Sequence, residues 1–285
     1  MEHALPDAPV DALDEGLRAS VLSPSDSRVL TRVSFVSRDR VRVLGLPGLG
    51  IAAGDEMVVS DPILVGDWVV VDTGHAPFLV IHRVPRSSVL QRRKPKGGKQ
   101  EVAANVDLAL VCTPLGATAG PRRVERWLAI AAEAGIEALV VVTKVDPDVE
   151  AELDRDAYGD ATVLGVSGRF GTGIPALLQR LPSGRTAALL GASGVGKSTL
   201  LNALLGREAQ RVGAVRESDQ RGRHTTTART LHVLPQGAYL IDNPGVREVG
   251  LTRAHGVDAA FPEIERCWAS VATGAVDTAA MKDAR

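Results

Sequence analysis

The sequence predicts an α/β fold with a mostly parallel sheet, preceded by a small all-β, OB-like barrel. Three observations carry this. Apolar runs that read as buried strands alternate with amphipathic helical stretches across residues 101–253. Within that region an apolar run, residues 186–190, leads into Gly191-Ala192-Ser193-Gly194-Val195-Gly196-Lys197-Ser198-Thr199, and leucines at helical spacing follow up to Gly206. Upstream, residues 26–90 hold short alternating runs broken by turn residues, the pattern of a small barrel.

The chain has 285 residues, 45% hydrophobic and 24% charged, enough for two domains with real cores. A net charge of −1 gives no global nucleic-acid signature, so any RNA contact must be local. Cys112 and Cys267 are the two cysteines, far apart in sequence, which argues against a disulfide framework and fits a reducing cytoplasm. No run of 18 apolar residues occurs, and acids follow Met1, so neither a membrane span nor a secretory signal is expected. A cytoplasmic monomer is the expectation.

Residues 1–25, with Pro6, Pro9 and Pro24, read as a mobile leader holding a short helix near 11–22. In the barrel region, 32–36, 40–44, 55–60, 66–71 and 76–84 read as strands. Residues 91–100 read as a basic linker: five of the eight from Arg92 to Lys99 are Arg or Lys, beside Pro95, Gly97 and Gly98. Such a strip is either a solvated linker or a phosphate-contacting surface. In residues 101–253, strands are expected at 106–112, 138–143, 161–166 and 186–190, helices at 122–134 and 174–181, and a hairpin at 230–241 turned by Pro235-Gln236-Gly237. Residues 254–285 read as a reduced helical tail with no clear core face.

Gly191 to Thr199 fits G-x-x-x-x-G-K-[ST], and it has the strand-before, helix-after context that this phosphate-binding loop requires. Its glycines let backbone N–H groups converge on phosphate oxygens, and the helix N-terminus adds partial positive charge. Lys197 would reach the β- and γ-phosphates and neutralise charge during transfer, and the Ser198 hydroxyl would bind Mg²⁺. Asp242-Asn243-Pro244-Gly245 fits D-x-x-G at the end of an apolar strand. There Asp242 would hold the Mg²⁺ shell and the Gly245 N–H would meet the γ-phosphate. Thr143-Lys144-Val145-Asp146 fits [NT]-K-x-D. The Asp146 carboxylate can accept from guanine N1–H and N2–H₂, a donor pair that adenine lacks, while Lys144 would lie along the base. Thr143 stands where asparagine is commoner. Ser167-Gly168 is the matching base-side loop. Between the phosphate loop and D-x-x-G, Gly222-Arg223-His224-Thr225-Thr226-Thr227 offers a switch threonine, Thr226 by choice over Thr225, to complete the Mg²⁺ shell. These pieces together point to GTP as substrate. The base-reading motifs precede the phosphate loop, so the sheet must be circularly permuted relative to ordinary GTPases.

These stretches resemble the RsgA (YjeQ/EngC) family of ribosome small-subunit-dependent GTPases. The matching residues also include Gly66-Asp67-Trp68-Val69, Ala103-Ala104-Asn105-Val106-Asp107 and Phe261-Pro262-Glu263-Ile264. The resemblance implies GTP hydrolysis, an OB domain, and late maturation of the 30S subunit through 16S rRNA contacts. It also implies a C-terminal zinc domain with C-x₄-C-x-H-x₅-C ligands. Cys267 fits the first position, but Ala272, Gly274 and Ala280 occupy the others, and one thiolate cannot build a structural zinc site, so no zinc is expected. Val246 sits where many GTPases place a water-orienting glutamine. The resemblance suggests His224 in that role. The competing readings are a P-loop ATPase, a GTPase that no longer acts on the ribosome, and an OB-type RNA-binding protein with a vestigial nucleotide domain. Asp146 separates the first of these from a GTPase.

Overall fold

A computed structural model describes residues 7–23, 26–37, 40–45, 56–58, 62–75, 77–93, 98–116, 121–148, 153–154, 156–206 and 229–243. Residues 222–227, Gly245, Val246, Cys267 and the tail at 254–285 lie outside them, as does most of the basic strip between Arg93 and Gly98.

Alternation of small β-branched residues builds the first unit of structure. Strands β1 (Arg28–Ser37), β2 (Arg40–Val43), β3 (Glu56–Val58), β4 (Trp68–Asp72) and β5 (Leu79–Arg83) pair in the order β1-β2-β3-β5-β4, and β4 returns to β1. The ring therefore closes, with one parallel pair, β3 on β5. Closure removes the exposed edges that a five-stranded sheet would otherwise carry. Val29, Val33, Val41, Val43, Ile63, Val69 and Val71 fill its interior. A closed five-stranded ring is consistent with the expected OB-like barrel.

The leader behaves differently from expectation. Its helix α1 (Glu15–Leu22) forms, capped by Asp14, whose Oδ1 accepts from Leu17 N at 2.9 Å. But Leu13 and Val21 are buried with Leu30, Trp68, Val70 and Val84, so residues 7–23 pack on the barrel rather than trailing from it. The short helix expected near 11–22 is present; proline and acid content hid the apolar contacts that hold it.

The basic linker is also corrected. Residues 91–93 and 98–100 belong to a hairpin of β6 (Val89–Arg93) and β7 (Lys99–Ala104), with Arg92 paired to Gln100 and Arg93 to Lys99. Leu90, Val102 and Ala103 bury one face of it. A charge count misses this, because alternate positions carry the core side chains.

Next come β8 (Leu108–Pro114), α2 (Pro121–Glu133), β9 (Glu137–Thr143), β10 (Val163–Gly165), α3 (Ile174–Gln179), β11 (Thr186–Leu190), α4 (Lys197–Leu205), β12 (Thr230–Val233) and β13 (Tyr239–Asp242). The strand order is β10-β9-β8-β11-β13-β12, all parallel except β12. The five parallel strands end on the same side, where ligands of open parallel sheets bind. The β12–β13 turn closes as the sequence indicates, with Gly237 at φ 87° and its N–H donating to Leu234 O at 2.9 Å. Through Phe35 opposite Thr230, β12 continues the sheet into β1, so barrel and sheet share one hydrogen-bonded ladder. No helix among the described residues is long and apolar enough to cross a membrane.

Arg32, 1% exposed, pins this junction. Its guanidinium donates to Gly66 O (3.2 Å), Thr186 Oγ1 (2.7 Å) and Asn105 O (3.0 Å), and it lies over the rings of Trp68 and Tyr239. Burial lowers its pKa to about 10, which still leaves it charged at neutral pH. Arg32→Met should destabilise the fold by roughly 3 kcal/mol in urea unfolding, because two backbone carbonyls and a hydroxyl lose a charged donor that Met cannot replace. Arg32→Lys should fall between Met and wild type. A loss of less than about 1 kcal/mol for Arg32→Met would remove the arginine from that role.

Candidate nucleotide site

The phosphate loop springs from β11, whose five residues are all buried between β8 and β13. Gly191 has φ 133°, and a Cβ there would lie 2.4 Å from Cys112 O, so only glycine lets the loop turn over β8. Gly194 and Gly196 also have positive φ, and Gly196 precedes the first residue of α4. Val195 is buried, Ala192, Ser198 and Thr199 are half-buried, and Ser193 and Gly194 are exposed at the loop's crest. Lys197 is 7% exposed and folds back across the loop, donating to Gly191 O (2.8 Å) and Ala192 O (2.6 Å). Burial lowers its pKa, opposed by the charge of Asp242. The lysine is thus held over the hollow of its own loop by weak acceptors. A phosphate oxygen would be a stronger partner.

Cys112 forms part of the floor. Burial pushes its thiol up to about 12, so it stays neutral beneath the loop. Asp242 ends β13 at the level of Leu189, is 3% exposed, and is coupled electrostatically to Lys197. A carboxylate here and the Ser198 hydroxyl at the helix start are hard oxygen donors, the kind Mg²⁺ takes. Among the described residues no three His, Cys, Asp or Glu side chains converge on a metal position.

The loops expected to read guanine gather on the same edge. Thr143 closes β9, buried, and its hydroxyl lies in a short hydrogen bond to Val195 O inside the phosphate loop, with Thr113 O at 3.2 Å as a second acceptor. The threonine that looked like a weak match therefore ties the base side to the phosphate side. Lys144 follows with φ 62° and is exposed, which turns the chain so that Val145 buries and Asp146 emerges half-buried. Ser167, 1% exposed, donates from Oγ to Asp146 Oδ1 at 2.9 Å and accepts from Phe170 N. Gly168 sits so near α4 that a Cβ would lie 3.0 Å from Thr199 O. So Thr143, Asp146, Ser167, Gly168 and residues 191–199 form one connected rim. Sequence reading placed all of these residues. It missed the Thr143–Val195 and Ser167–Asp146 ties and the Cys112 floor, because tertiary partners leave no local pattern.

Thr143→Val keeps the shape and removes the hydrogen bond to the loop. It should weaken guanine-nucleotide affinity roughly threefold to tenfold, with Thr143→Ser restoring most of it, as read by titration with a fluorescent GDP analogue. Unchanged affinity in the valine variant would show that the two loops do not depend on this tie.

Comparison with known proteins adds three findings. The family model described as RsgA GTPase matches residues 83–252. Proteins named small ribosomal subunit biogenesis GTPase RsgA are similar over most of this chain. That of Methanosarcina acetivorans is 41% identical over 226 residues, 75% of this chain and 60% of the relative. That of Streptomyces coelicolor is 44% identical over 246 residues, 82% of this chain and 67% of the relative. The chain thus spans about three-fifths to two-thirds of these relatives' length. Among solved structures, YjeQ from Thermotoga maritima superposes with a TM-score of 0.54 at 24% identity, covering 76% of this chain and 75% of that one. YloQ, described as a circularly permuted GTPase, superposes with a TM-score of 0.52 at 17% identity, over 78% and 73%. These two show the fold. With the family model matching well over half of the sequence, the chain belongs to the RsgA GTPase family.

Proposed function

We propose that this member of the RsgA GTPase family binds GTP, hydrolyses it to GDP and phosphate, and acts in the cytoplasm as a late assembly factor of the 30S ribosomal subunit through rRNA contacts. The observation that carries the reading is the tie between the loops. Asp146 is oriented by Ser167, and the adjoining Thr143 is bonded into the phosphate loop, so a guanine selector and a triphosphate cradle share one rigid rim. The relatives' names supply the ribosomal destination.

In this reading the backbone N–H groups of residues 191–196 and the N-terminus of α4 hold the phosphates. Lys197 leaves the carbonyls of Gly191 and Ala192 for the β- and γ-phosphate oxygens. Ser198, Asp242 and Thr226 would hold Mg²⁺. When bound, that ion neutralises phosphate charge. Lys144 lies along the base. The Gly245 N–H meets the γ-phosphate, and its neighbour Val246 carries no group that can orient water. His224 takes that task, accepting a hydrogen bond from the water that attacks the γ-phosphorus while the bond to the β-phosphate oxygen breaks. Because His224 belongs to the switch stretch of the sequence, turnover is expected to be slow until the small subunit engages it.

Purified 30S subunits should raise GTP turnover at least about tenfold at low salt, with the effect fading as salt rises. His224→Ala should lower stimulated turnover by about 100-fold or more and leave GDP affinity within about twofold. No stimulation by subunits would overturn the ribosomal part of the reading. Equal turnover in His224→Ala would reassign the water-orienting role.

A further inference from the structure

Barrel and nucleotide sheet share little backbone pairing. Among the described residues β1 reaches β12 through one pair, Phe35 opposite Thr230. One rung fixes a contact; it takes a run of rungs to fix the angle between two strands. Side chains must set that angle. Arg32, Arg86 and Asn105 form one set, joining β1 and the turn at Gly66–Asp67 to β11 and the β6–β7 hairpin. The leader forms another.

Residues 7–23 attach at two places. On the barrel, Leu13 and Val21 are buried with Leu30, Trp68, Val70 and Val84, and Arg28 Nη1 donates to Ser20 Oγ at 2.9 Å. On the nucleotide sheet, Asp7 Oδ1 accepts from the Tyr239 hydroxyl at 2.7 Å. Tyr239 is 3% exposed and pairs with Thr186, the first residue of β11, while further along the same register Asp242 stands beside Leu189. A Cβ on Gly184 would lie 3.2 Å from Asp7 Cβ, so the glycine gives the aspartate room at the turn into β11. Asp7 therefore sits at the foot of the two strands that lead to the phosphate loop and to Asp242. The leader also touches both aromatic residues that flank Arg32. Trp68 lies in its apolar cluster, Tyr239 takes its carboxylate, and the two rings meet edge to face at 6.4 Å. Burial lowers the Arg32 pKa, and the carboxylate of Asp7, with those of Asp107 and Asp67, opposes that. Asp7 itself is exposed, so this hydrogen bond joins a buried donor to an acceptor within reach of water.

We propose that the leader is a releasable strap: residues 7–23 hold the barrel at a fixed angle to β11 and β13 through the Asp7–Tyr239 latch, and with the latch open the barrel pivots about the Arg32 joint. The latch is the weak link. One hydrogen bond to a water-accessible carboxylate holds that end, whereas several buried apolar side chains hold α1 to the barrel. The strap therefore opens at Asp7 and stays on the barrel. Opening leaves the Tyr239 hydroxyl a buried donor without a partner, which draws the strap shut again. Latched, barrel and strands move as one body; unlatched, the single Phe35–Thr230 rung and the Arg32 fork serve as the hinge.

The test reads the angle directly, by pulsed electron spin resonance between nitroxides on the two bodies of the full chain. Leu79→Cys on the barrel and Ala132→Cys on α2 are exposed labelling positions; Cys267→Ser removes the other reactive thiol, and Cys112 is buried. With the leader intact the distance distribution should be single and narrow. Asp7→Ala and Tyr239→Phe, which keeps the ring over Arg32, should each broaden it by about twofold or more. Leu13→Ser, at the other end of the strap, should do the same. Asp7→Asn retains an acceptor oxygen and should fall between Asp7→Ala and wild type. The double variant Asp7→Ala/Tyr239→Phe should be no broader than either single one, since both remove the same bond. Arg18→Ala, in an exposed ion pair with Asp11, is the control and should change nothing. Far-ultraviolet circular dichroism identical to wild type in Asp7→Ala and Tyr239→Phe would place the broadening in the angle and not in unfolding. An unchanged distribution in Asp7→Ala and Leu13→Ser would overturn the proposal. Broadening by Tyr239→Phe without broadening by Asp7→Ala would overturn it too, because the tyrosine would then act without the leader.

Discussion

The fold depends on a buried cation. Arg32 leaves a barrel strand and delivers its donors to Gly66, Asn105 and Thr186, which belong to the barrel's return turn, the end of the β6–β7 hairpin and the first residue of the phosphate-loop strand. A charge in a dry interior is costly unless every donor is used, and here the guanidinium fork has acceptors in three directions and aromatic faces at Trp68 and Tyr239. The acceptors are themselves fixed. Gly66, at φ 93°, brings its carbonyl into place where a Cβ would collide with Ala104 O at 2.3 Å. Asn105, at φ 54°, gives its side chain to Gly66 O and Ser87. Beside them Asp67 is gripped by Arg86, and Asp107 receives the Thr186 N–H. The two motifs Gly66-Asp67-Trp68-Val69 and 103–107, which carry no nucleotide chemistry, are accounted for by this joint.

The joint sets the starting point of β11, and five residues later the chain reaches Gly191. From there the site is built by strand ends. Asp242 arrives beside Leu189 on β13, Thr143 closes β9 and reaches across to Val195, and Ser167 follows β10 to meet Asp146. Permuted connectivity does not disturb this, because a parallel sheet positions its loops by strand order and not by chain order. It does place the Asp242 strand last among the described elements, paired through β12 to the barrel. Barrel and nucleotide site thus lie on one ladder, with Asp242, Thr230 and Phe35 in register across it.

Most of the architecture was legible because it follows local periodicity. The bounds of β11 fall where the apolar run predicted, α4 begins one residue early at Lys197, and the Pro235–Gly237 turn forms its hairpin. What was illegible depends on partners distant in sequence. The strip at 91–100 looked like linker because charge dominates its composition, yet Leu90 and Val102 bury the hairpin. The leader's Leu13 and Val21 gave no sign of their barrel contacts, and the alternation of 32–36 gave no sign that Arg32 is buried. At the site, residue identities were readable from motif chemistry, while the Thr143 and Ser167 bonds that join the motifs were not.

The central claim is that this rim selects guanine through Asp146, and equilibrium affinity for GDP against ADP tests it most directly. The account predicts that wild type prefers GDP by at least about 100-fold, since a site built to accept two base donors rejects a base lacking them, and that Asp146→Ala abolishes the preference. Comparable affinities for GDP and ADP in the wild-type protein would contradict it.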